Sequence, residues 1–354
     1  MTERLAVGDV APWFKTQTPT NPNYYFNTTA GHYVLLAFMP ADPSVHAERL
    51  AHFRAHRSRF DDVKLSAFFV LTDEASISTA KDRLPGVRFF LDRDRAISRL
   101  YGALDGTGAH HPHWLLLDPS LRAMASAPMD DSGAFFASLA DLPALEDYAG
   151  VPLQAPVLIV PRVFEPEICA RLVATYQAHG GDPSGVMRDV DGRTVGILDD
   201  FKKRRDVMIE DEDFRKGLRL RITRRLLPEI AKAFQFEATR LERYLVACYD
   251  AADGGYFRPH RDNETFATAH RRFAVSINLN AEEFEGGDLR FPEFGPRTYR
   301  PPTGGAVVFC CSLQHEATPV TRGRRYAFLP FIYDDEGARI REANLSRLAP
   351  PDQA

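Results

Sequence analysis

The chain has 354 residues, 44% of them hydrophobic and 26% charged, with a formal net charge of −4. A single core stops growing near roughly 250–300 residues, so two domains are expected, and the balance of charge excludes a broad basic field for nucleic acid. No apolar run approaches the roughly 20 residues of a membrane helix, and residues 1–10 carry Glu3, Arg4 and Asp9 rather than a secretory apolar stretch, so a cytoplasmic protein is expected.

The first stretch alternates apolar runs of strand length with helical spacings. Tyr33–Met39, Leu65–Leu71, Val87–Leu91 and Trp114–Leu117 read as strands. Ser44–Phe60 has helical spacing, with Leu50, Phe53 and His56 on one face; Ser76–Arg83 and Ala96–Tyr101 are further helix candidates. Such continuous apolar strands suit an α/β sheet covered on both faces. Ala123–Ala155 is rich in Ala, Pro, Asp and Ser, and holds one expected helix, Gly133–Leu139, before a linker at Val151–Pro156. The boundary falls there, giving domains 1–150 and 156–340.

The second half opens with a short strand at Val157–Val160 and a helix at Glu165–His179, which Pro166 starts and Gly180–Gly181 closes. Asp213–Phe236 reads as one long helix or two, broken near Pro228. From Tyr244 onward short β-rich runs alternate with Gly and Pro turns: Tyr244–Tyr249, Arg272–Leu279, Asp288–Phe291, Ala306–Cys311 and Arg325–Tyr333. Helices followed by many short strands predict an α+β domain with a double-sheet, jelly-roll core.

The chemistry is concentrated in Tyr256–Asn263, YFRPHRDN. His260 and Asp262 stand at i and i+2, which share a face on a strand. A second histidine, His315, lies in HEATPVTRGRRYAF. Two histidines and one carboxylate on one side of an octahedron leave three positions open, the arrangement of non-heme iron(II) oxygenases. An HxD pair alone is a weak signal. Here it is joined by Tyr249 before it, EGGDL at residues 285–289 after it, and Arg325 ten residues beyond His315. A buried guanidinium suits the distal carboxylate of a cosubstrate.

These segments resemble a known family. LVACYDAADGGYFRPHRDN, HEATPVTRGRRYAF and the opening VLIVPRVFEPEICARLV are similar to the prolyl-4-hydroxylase-like branch of the iron(II)/2-oxoglutarate dioxygenases, over about Val157 to Tyr333. The resemblance implies a double-stranded β-helix, with His260, Asp262 and His315 as catalytic iron ligands. It implies Arg325 on the 5-carboxylate of 2-oxoglutarate, with Tyr249 and Asn278 lining the cosubstrate pocket. Asn278 stands where the hypoxia-sensing relatives carry a tyrosine, and its amide can still donate. Arg324 is the rival of Arg325, and strand alternation lets only one point inward. The implied cofactor is Fe(2+), with 2-oxoglutarate and O2 as cosubstrates. The implied reaction is hydroxylation of a peptidyl or small-molecule substrate with release of succinate and CO2. A non-catalytic oxygen or 2-oxoglutarate sensor is the alternative. Neither a nucleic acid nor a membrane is an expected partner, and a homodimer is left open.

Gly8–Leu139 resembles a peroxiredoxin or thioredoxin-like domain, through VGDVAPWF, HYVLLAFMPADPSVHAERL and FFLDRDRAISRLYGA. Where peroxiredoxins place the reactive cysteine, seven residues after Pro40, this chain has Ala47. No cysteine precedes Cys169, so thiol peroxidase chemistry is excluded. A binding module and a stabilising scaffold both remain open for this half. His110, His111 and His113 suit a loop before a strand better than a metal site. Arg258, Arg261, His270, Arg271 and Arg272 read as either a basic rim for an acidic substrate or a solvated edge, with the edge preferred. Lys202–Arg205, KKRR, reads as a solvated loop rather than a nucleic-acid patch.

Overall fold

The computed structural model describes residues 4–130 and 132–348. The chain divides into two compact units, Met1–Gln154 with Pro292–Pro296 and Ala155–Phe291 with Arg297–Ala354. Among the described residues no helix is long and apolar enough to cross a membrane.

The first unit is built on a five-stranded sheet in the order Val87–Leu91, Leu65–Leu71, Tyr33–Phe38, His113–Leu117, Ala123–Pro128. The first three strands run parallel and the last two antiparallel. Both faces are covered, which is why the strands are apolar throughout rather than alternating. Leu35, Ala37, Trp114 and Leu116 pack with Phe53 and Phe136 on one side. Leu36, Phe38, Leu115 and Leu117 pack with Phe26 and Tyr101 on the other. This is the expected thioredoxin-like α/β arrangement.

Three local features differ from expectation. The edge strand Ala123–Pro128 stands where the sequence predicts no element; its AMASAP sequence is weakly apolar and ends in a proline, which an edge tolerates. The helical stretch from Ser44 breaks into His46–Arg49 and Ala51–Ala55 flanked by single 3₁₀ turns. Among its described side chains only Phe53 and the terminal Phe60 are buried, so little packing supports a continuous helix. The helix expected at Ser76–Arg83 starts earlier, at Glu74–Thr79, because Asp73 caps it by accepting from the Ser76 amide at 2.7 Å.

In the second unit the helix Pro166–His179 ends at Gly180, whose φ of 88° closes it in the left-handed region. Two further helices, Glu212–Arg225 and Leu227–Phe234, break where Pro228 enters the first turn of the second. Their apolar faces, through Leu172, Leu218, Ile222 and Ile230, cover one side of a nine-stranded sheet at Val246, Val275, Ile277 and Phe328. The centre of that sheet runs Phe331–Tyr333, Phe273–Asn278, Arg324–Phe328, Leu245–Asp250, Arg205–Met208. The segment expected as one strand from Arg325 to Tyr333 is therefore two, interrupted at Leu329–Pro330, where proline removes a ladder donor.

The opposite side of the same sheet carries Leu245, Ala247 and Tyr249, which cluster with Phe284, Ala317 and Val320. Ala317 belongs to a second, five-stranded sheet: Lys202–Lys203, Tyr256–His260, His315–Ala317, Leu289–Arg290, Thr298–Tyr299. The two sheets thus face each other across a space lined by the residues of interest. KKRR is not a solvated loop. Lys202 and Lys203 pair with Phe257 and Tyr256, Arg205 pairs with Cys248, and Lys202 and Arg204 are each only 8% exposed.

Candidate metal centre

His260 ends its strand and has His315 as its direct cross-strand partner, so the two imidazoles leave the sheet on the same face. The register slips between Phe257 and His260, at Pro259, which cannot donate to a ladder. Asp262 lies just beyond the strand and is tied back by its amide, which donates to the Cys311 carbonyl at 2.9 Å. Its carboxylate oxygens then stand 3.6 Å from His260 Nε2 and 3.3 Å from His315 Nε2. All three ligand atoms fall within 4.8 Å of one another, and among the described residues this is the one such group.

The histidine tautomers follow from the second nitrogens. His260 Nδ1 donates to the Arg258 carbonyl at 2.7 Å and His315 Nδ1 to the Leu313 carbonyl at 3.1 Å. A carbonyl only accepts, so Nδ1 carries the proton and each Nε2 lone pair is left toward Asp262. Burial, then the neighbouring His315, pushes the His260 pKa down to about 4, which leaves a neutral imidazole at pH 7. Metal–ligand bonds of about 2.0–2.2 Å place facial donors about 3 Å apart. The residues present therefore fit a divalent first-row ion with little movement.

Arg325 is buried, 3% exposed, while Arg324 turns outward to pair with Asp250 at 2.6 Å. Arg325 Nη2 donates to Ser276 Oγ at 2.8 Å and its Nε to Asn278 Oδ1 at 3.4 Å. The guanidinium lies 5.3 Å from the ring of Tyr249, its cross-strand partner. Asn278 Nδ2 donates one of its two N–H groups to the Pro301 carbonyl at 3.0 Å, and its Oδ1 accepts from Arg325, so the side chain helps orient the guanidinium. Ser276 escaped notice in the sequence, though Ser276 and Asn278 are polar positions two apart in an otherwise apolar strand. Beside them Asp206, Ala247, Ala327 and Asn278 lie in register across four strands, and the two alanines keep that row low.

EGGDL has a packing reason. Gly286 and Gly287 have φ of 68° and 67°, and a Cβ on them would stand 2.1 Å from the Pro319 carbonyl oxygen and 2.7 Å from a Val320 methyl. The glycines let this turn press on the strand that follows His315.

Of these basic residues, Arg261, His270 and Arg271 form neither a rim nor a solvated edge; Arg258 is exposed, and the partly exposed Arg272 lies 3.6 Å from Asp334. His270 and Arg271 turn inward onto the two oxygens of Glu242, at 2.9 and 2.7 Å, and Arg271 also reaches the Asp262 carbonyl at 3.4 Å. Arg261 is buried, bonded to the Ser312 carbonyl, with Glu264 at 3.8 Å. In the first unit His111 pairs with Asp105 at 2.9 Å, and buried His113 donates to the His111 carbonyl and stacks on Phe38. His110, His111 and His113 form no metal-holding group. The Ser44 N–H donates to Asp42 Oδ1 at 2.9 Å as part of a turn; the side chain of Ala47 lies outside the described residues.

Comparison with known proteins separates the two units. Residues 244–333 match the family model of the 2OG-Fe(II) oxygenase superfamily, and residues 7–123 match that of the AhpC/TSA family. A PKHD-type hydroxylase from Synechococcus sp. is 29% identical over 94 residues, 25% of this chain and 41% of that protein. One from Pseudomonas fluorescens is 34% identical over 91 residues, 23% of this chain and 39% of that protein. The chain spans about two fifths of the length of the curated relatives it matches. Among solved structures, a Pseudomonas putida prolyl-4-hydroxylase aligns with TM-score 0.37 at 19% identity, covering 55% of this chain and 98% of that one. Mycobacterium tuberculosis AhpC aligns with TM-score 0.32 at 16% identity, covering 39% and 94%. The second unit thus resembles the 2OG-Fe(II) oxygenase superfamily, and the first resembles the AhpC/TSA family.

Proposed function

We propose that the chain is an iron(II)- and 2-oxoglutarate-dependent dioxygenase that hydroxylates a peptidyl or small-molecule substrate. The observation that carries this reading is the convergence of His260, Asp262 and His315, with buried Arg325 aimed into the same space between the sheets. The match of residues 244–333 to the oxygenase superfamily supports it. The two facing sheets are read as the double-stranded β-helix of that fold.

His260, Asp262 and His315 would hold the iron. When bound, the iron supplies the oxidising chemistry: 2-oxoglutarate and dioxygen are consumed, succinate and CO2 leave, and one oxygen enters a substrate C–H bond. The chain's own residues orient the reactants. The Nδ1–H bonds of both histidines fix ring direction before metal arrives. Arg325 receives the 5-carboxylate of 2-oxoglutarate, with Ser276 and Asn278 holding the guanidinium and Tyr249 forming the pocket wall. The first unit has no cysteine and is assigned a non-catalytic role as scaffold or binding module. Four free cysteines fit a reducing compartment, and the cytoplasm is proposed.

The test is an anaerobic iron(II) titration followed by admission of air with 2-oxoglutarate and measurement of succinate. One iron bound per chain and succinate formation are expected. His315→Ala should lose both while its circular dichroism spectrum stays that of the parent. Full turnover in that variant, or iron and 2-oxoglutarate binding in the parent with no succinate under any substrate screened, would overturn the enzymatic reading.

A further inference from the structure

The reading above leaves a cluster of cations beside the metal centre without a task. The segment Lys202–Met208 crosses from the five-stranded sheet, where Lys202 pairs with Phe257, to the nine-stranded sheet, where Asp206 pairs with Ala247. It therefore walls one side of the space between the sheets. Lys202 is more than nine-tenths buried. Its ammonium donates to Ser184 Oγ at 2.6 Å and to the Gly185 carbonyl at 2.9 Å, both neutral acceptors. It lies 5.0 Å from the centre of the Phe257 ring, and that ring stacks on His260 at 3.5 Å.

Among the described residues no carboxylate lies within ion-pair distance of this ammonium. The nearby one, Asp206, is already engaged. Arg204 grips both its oxygens, Nε at 2.7 Å and Nη2 at 2.6 Å, and Arg243 approaches at 3.7 Å. Lys202, Arg204 and Arg243 thus crowd Asp206, with the proposed iron ligand Asp262 as a second carboxylate whose charge reaches Lys202 and Arg243, and a buried excess of one sign is costly unless something offsets it. Burial, then the Arg204 charge, presses the Lys202 pKa well below the usual lysine range, which is the strain an arriving anion would relieve. There is room for one: Ser184, Lys202 and Arg204 line a cavity of about 940 Å³. The three proposed iron ligands do not line it, so it does not restate the metal centre. Nor is it the pocket of Arg325. Tyr249 stands between, with the Arg204 guanidinium 5.8 Å and the Arg325 guanidinium 5.3 Å from its ring.

We propose that Lys202, with Arg204 and Arg243 around Asp206, forms an oxyanion subsite that selects substrates bearing a carboxylate or a phosphate, anchoring that group while another part of the molecule reaches the iron. This rests on the oxygenase reading and adds a substrate class to it. Lys202 supplies the charge as a compact ammonium, and the Ser184 hydroxyl, which donates to Asp206 Oδ2 at 2.6 Å and accepts from Lys202, holds that ammonium in place.

The experiment uses the full chain loaded with zinc(II) in place of iron and saturated with 2-oxoglutarate, so that Arg325 is occupied. Acetate and inorganic phosphate are titrated separately by calorimetry. At least one is expected to bind, at least tenfold more weakly in Lys202→Met and within threefold of the parent in Lys202→Arg. Acetate binding alone identifies a carboxylate; phosphate binding alone identifies a phosphate. Binding that is indifferent to Lys202→Met belongs to the metal or the surface and overturns the proposal, as does no binding of either anion. Should Lys202→Met not fold, Arg243→Gln takes its place, and parent-like anion binding in that variant is the overturning result. Zinc and 2-oxoglutarate loading are read in the same sample. If they bind and the anions do not, the subsite falls and the oxygenase reading stands; if zinc does not bind, both fall.

Discussion

Removing the Arg325 guanidinium should cost cosubstrate affinity far more than it costs the fold. A guanidinium has five N–H donors. Two are used within the protein, on Ser276 Oγ at 2.8 Å and on Asn278 Oδ1 at 3.4 Å, which leaves enough for both oxygens of a carboxylate. Removing one side of a buried, hydrogen-bonded charge pair costs about 2–5 kcal/mol, so Arg325→Leu should weaken 2-oxoglutarate binding by at least about 30-fold. Arg325→Lys keeps the charge and loses the fork, and should fall between the two. The fold pays little, because among the described residues Arg325 has no carboxylate within ion-pair distance. Leucine relieves a desolvated cation, at several kcal/mol, while leaving one hydroxyl and one amide oxygen unpaired, at about 1–3 kcal/mol each. The cosubstrate-free variant should therefore melt near the parent. The assay is an anaerobic calorimetric titration of 2-oxoglutarate into iron(II)-loaded protein, with a melting curve of each cosubstrate-free variant. Binding of 2-oxoglutarate to Arg325→Leu within threefold of the parent would refute the assignment.

Two further outcomes concern stability. Asp206 holds Arg204 through two bonds in a mostly buried setting, and burial is outweighed chiefly by Arg204 to bring its pKa down to about 2. Asp206→Asn should destabilise by about 3–5 kcal/mol in urea unfolding, because it leaves the Arg204 guanidinium buried without its carboxylate; a variant that unfolds at the parent's urea midpoint would contradict it. His113 is 1% exposed, and burial pushes its pKa from 6.5 to about 4. The unfolded chain then binds the proton more tightly, so stability is complete above about pH 6.5 and declines by up to about 3 kcal/mol toward pH 4. His113→Phe should flatten that part of the profile, and a parent-like acid slope in the variant would exclude His113 as its source.

The three residues within ligand distance are those that the HxD spacing and the later histidine single out, yet the local geometry differs from the strand argument. Asp262 has left the strand, and its reach depends on the slip at Pro259 and the bond to the Cys311 carbonyl, neither of which a two-residue period contains. Arg325 and Arg324 separate by alternation, which sends neighbours on a strand to opposite faces, and Arg324, exposed at the strand's first residue, pairs with Asp250. The polar wall was harder. KKRR looks solvated because a run of four cations carries no period in hydrophobicity; Lys202 and Arg204 are buried through partners at Ser184 and Asp206, and Lys202 faces Phe257 of a strand far along the chain. The inward turn of His270 and Arg271 likewise depends on Glu242, 28 residues before His270. Some missed signals were local. Asp191–Gly192 joins Val186–Val190 to Arg193–Ile197 with φ of 50° and 79°, the conformation an Asp-Gly turn favours, and the dipeptide alone predicts that hairpin. Local chemistry of this kind can be read before folding. A charge whose partner lies far along the chain, as Glu242 does for His270 and Arg271, cannot.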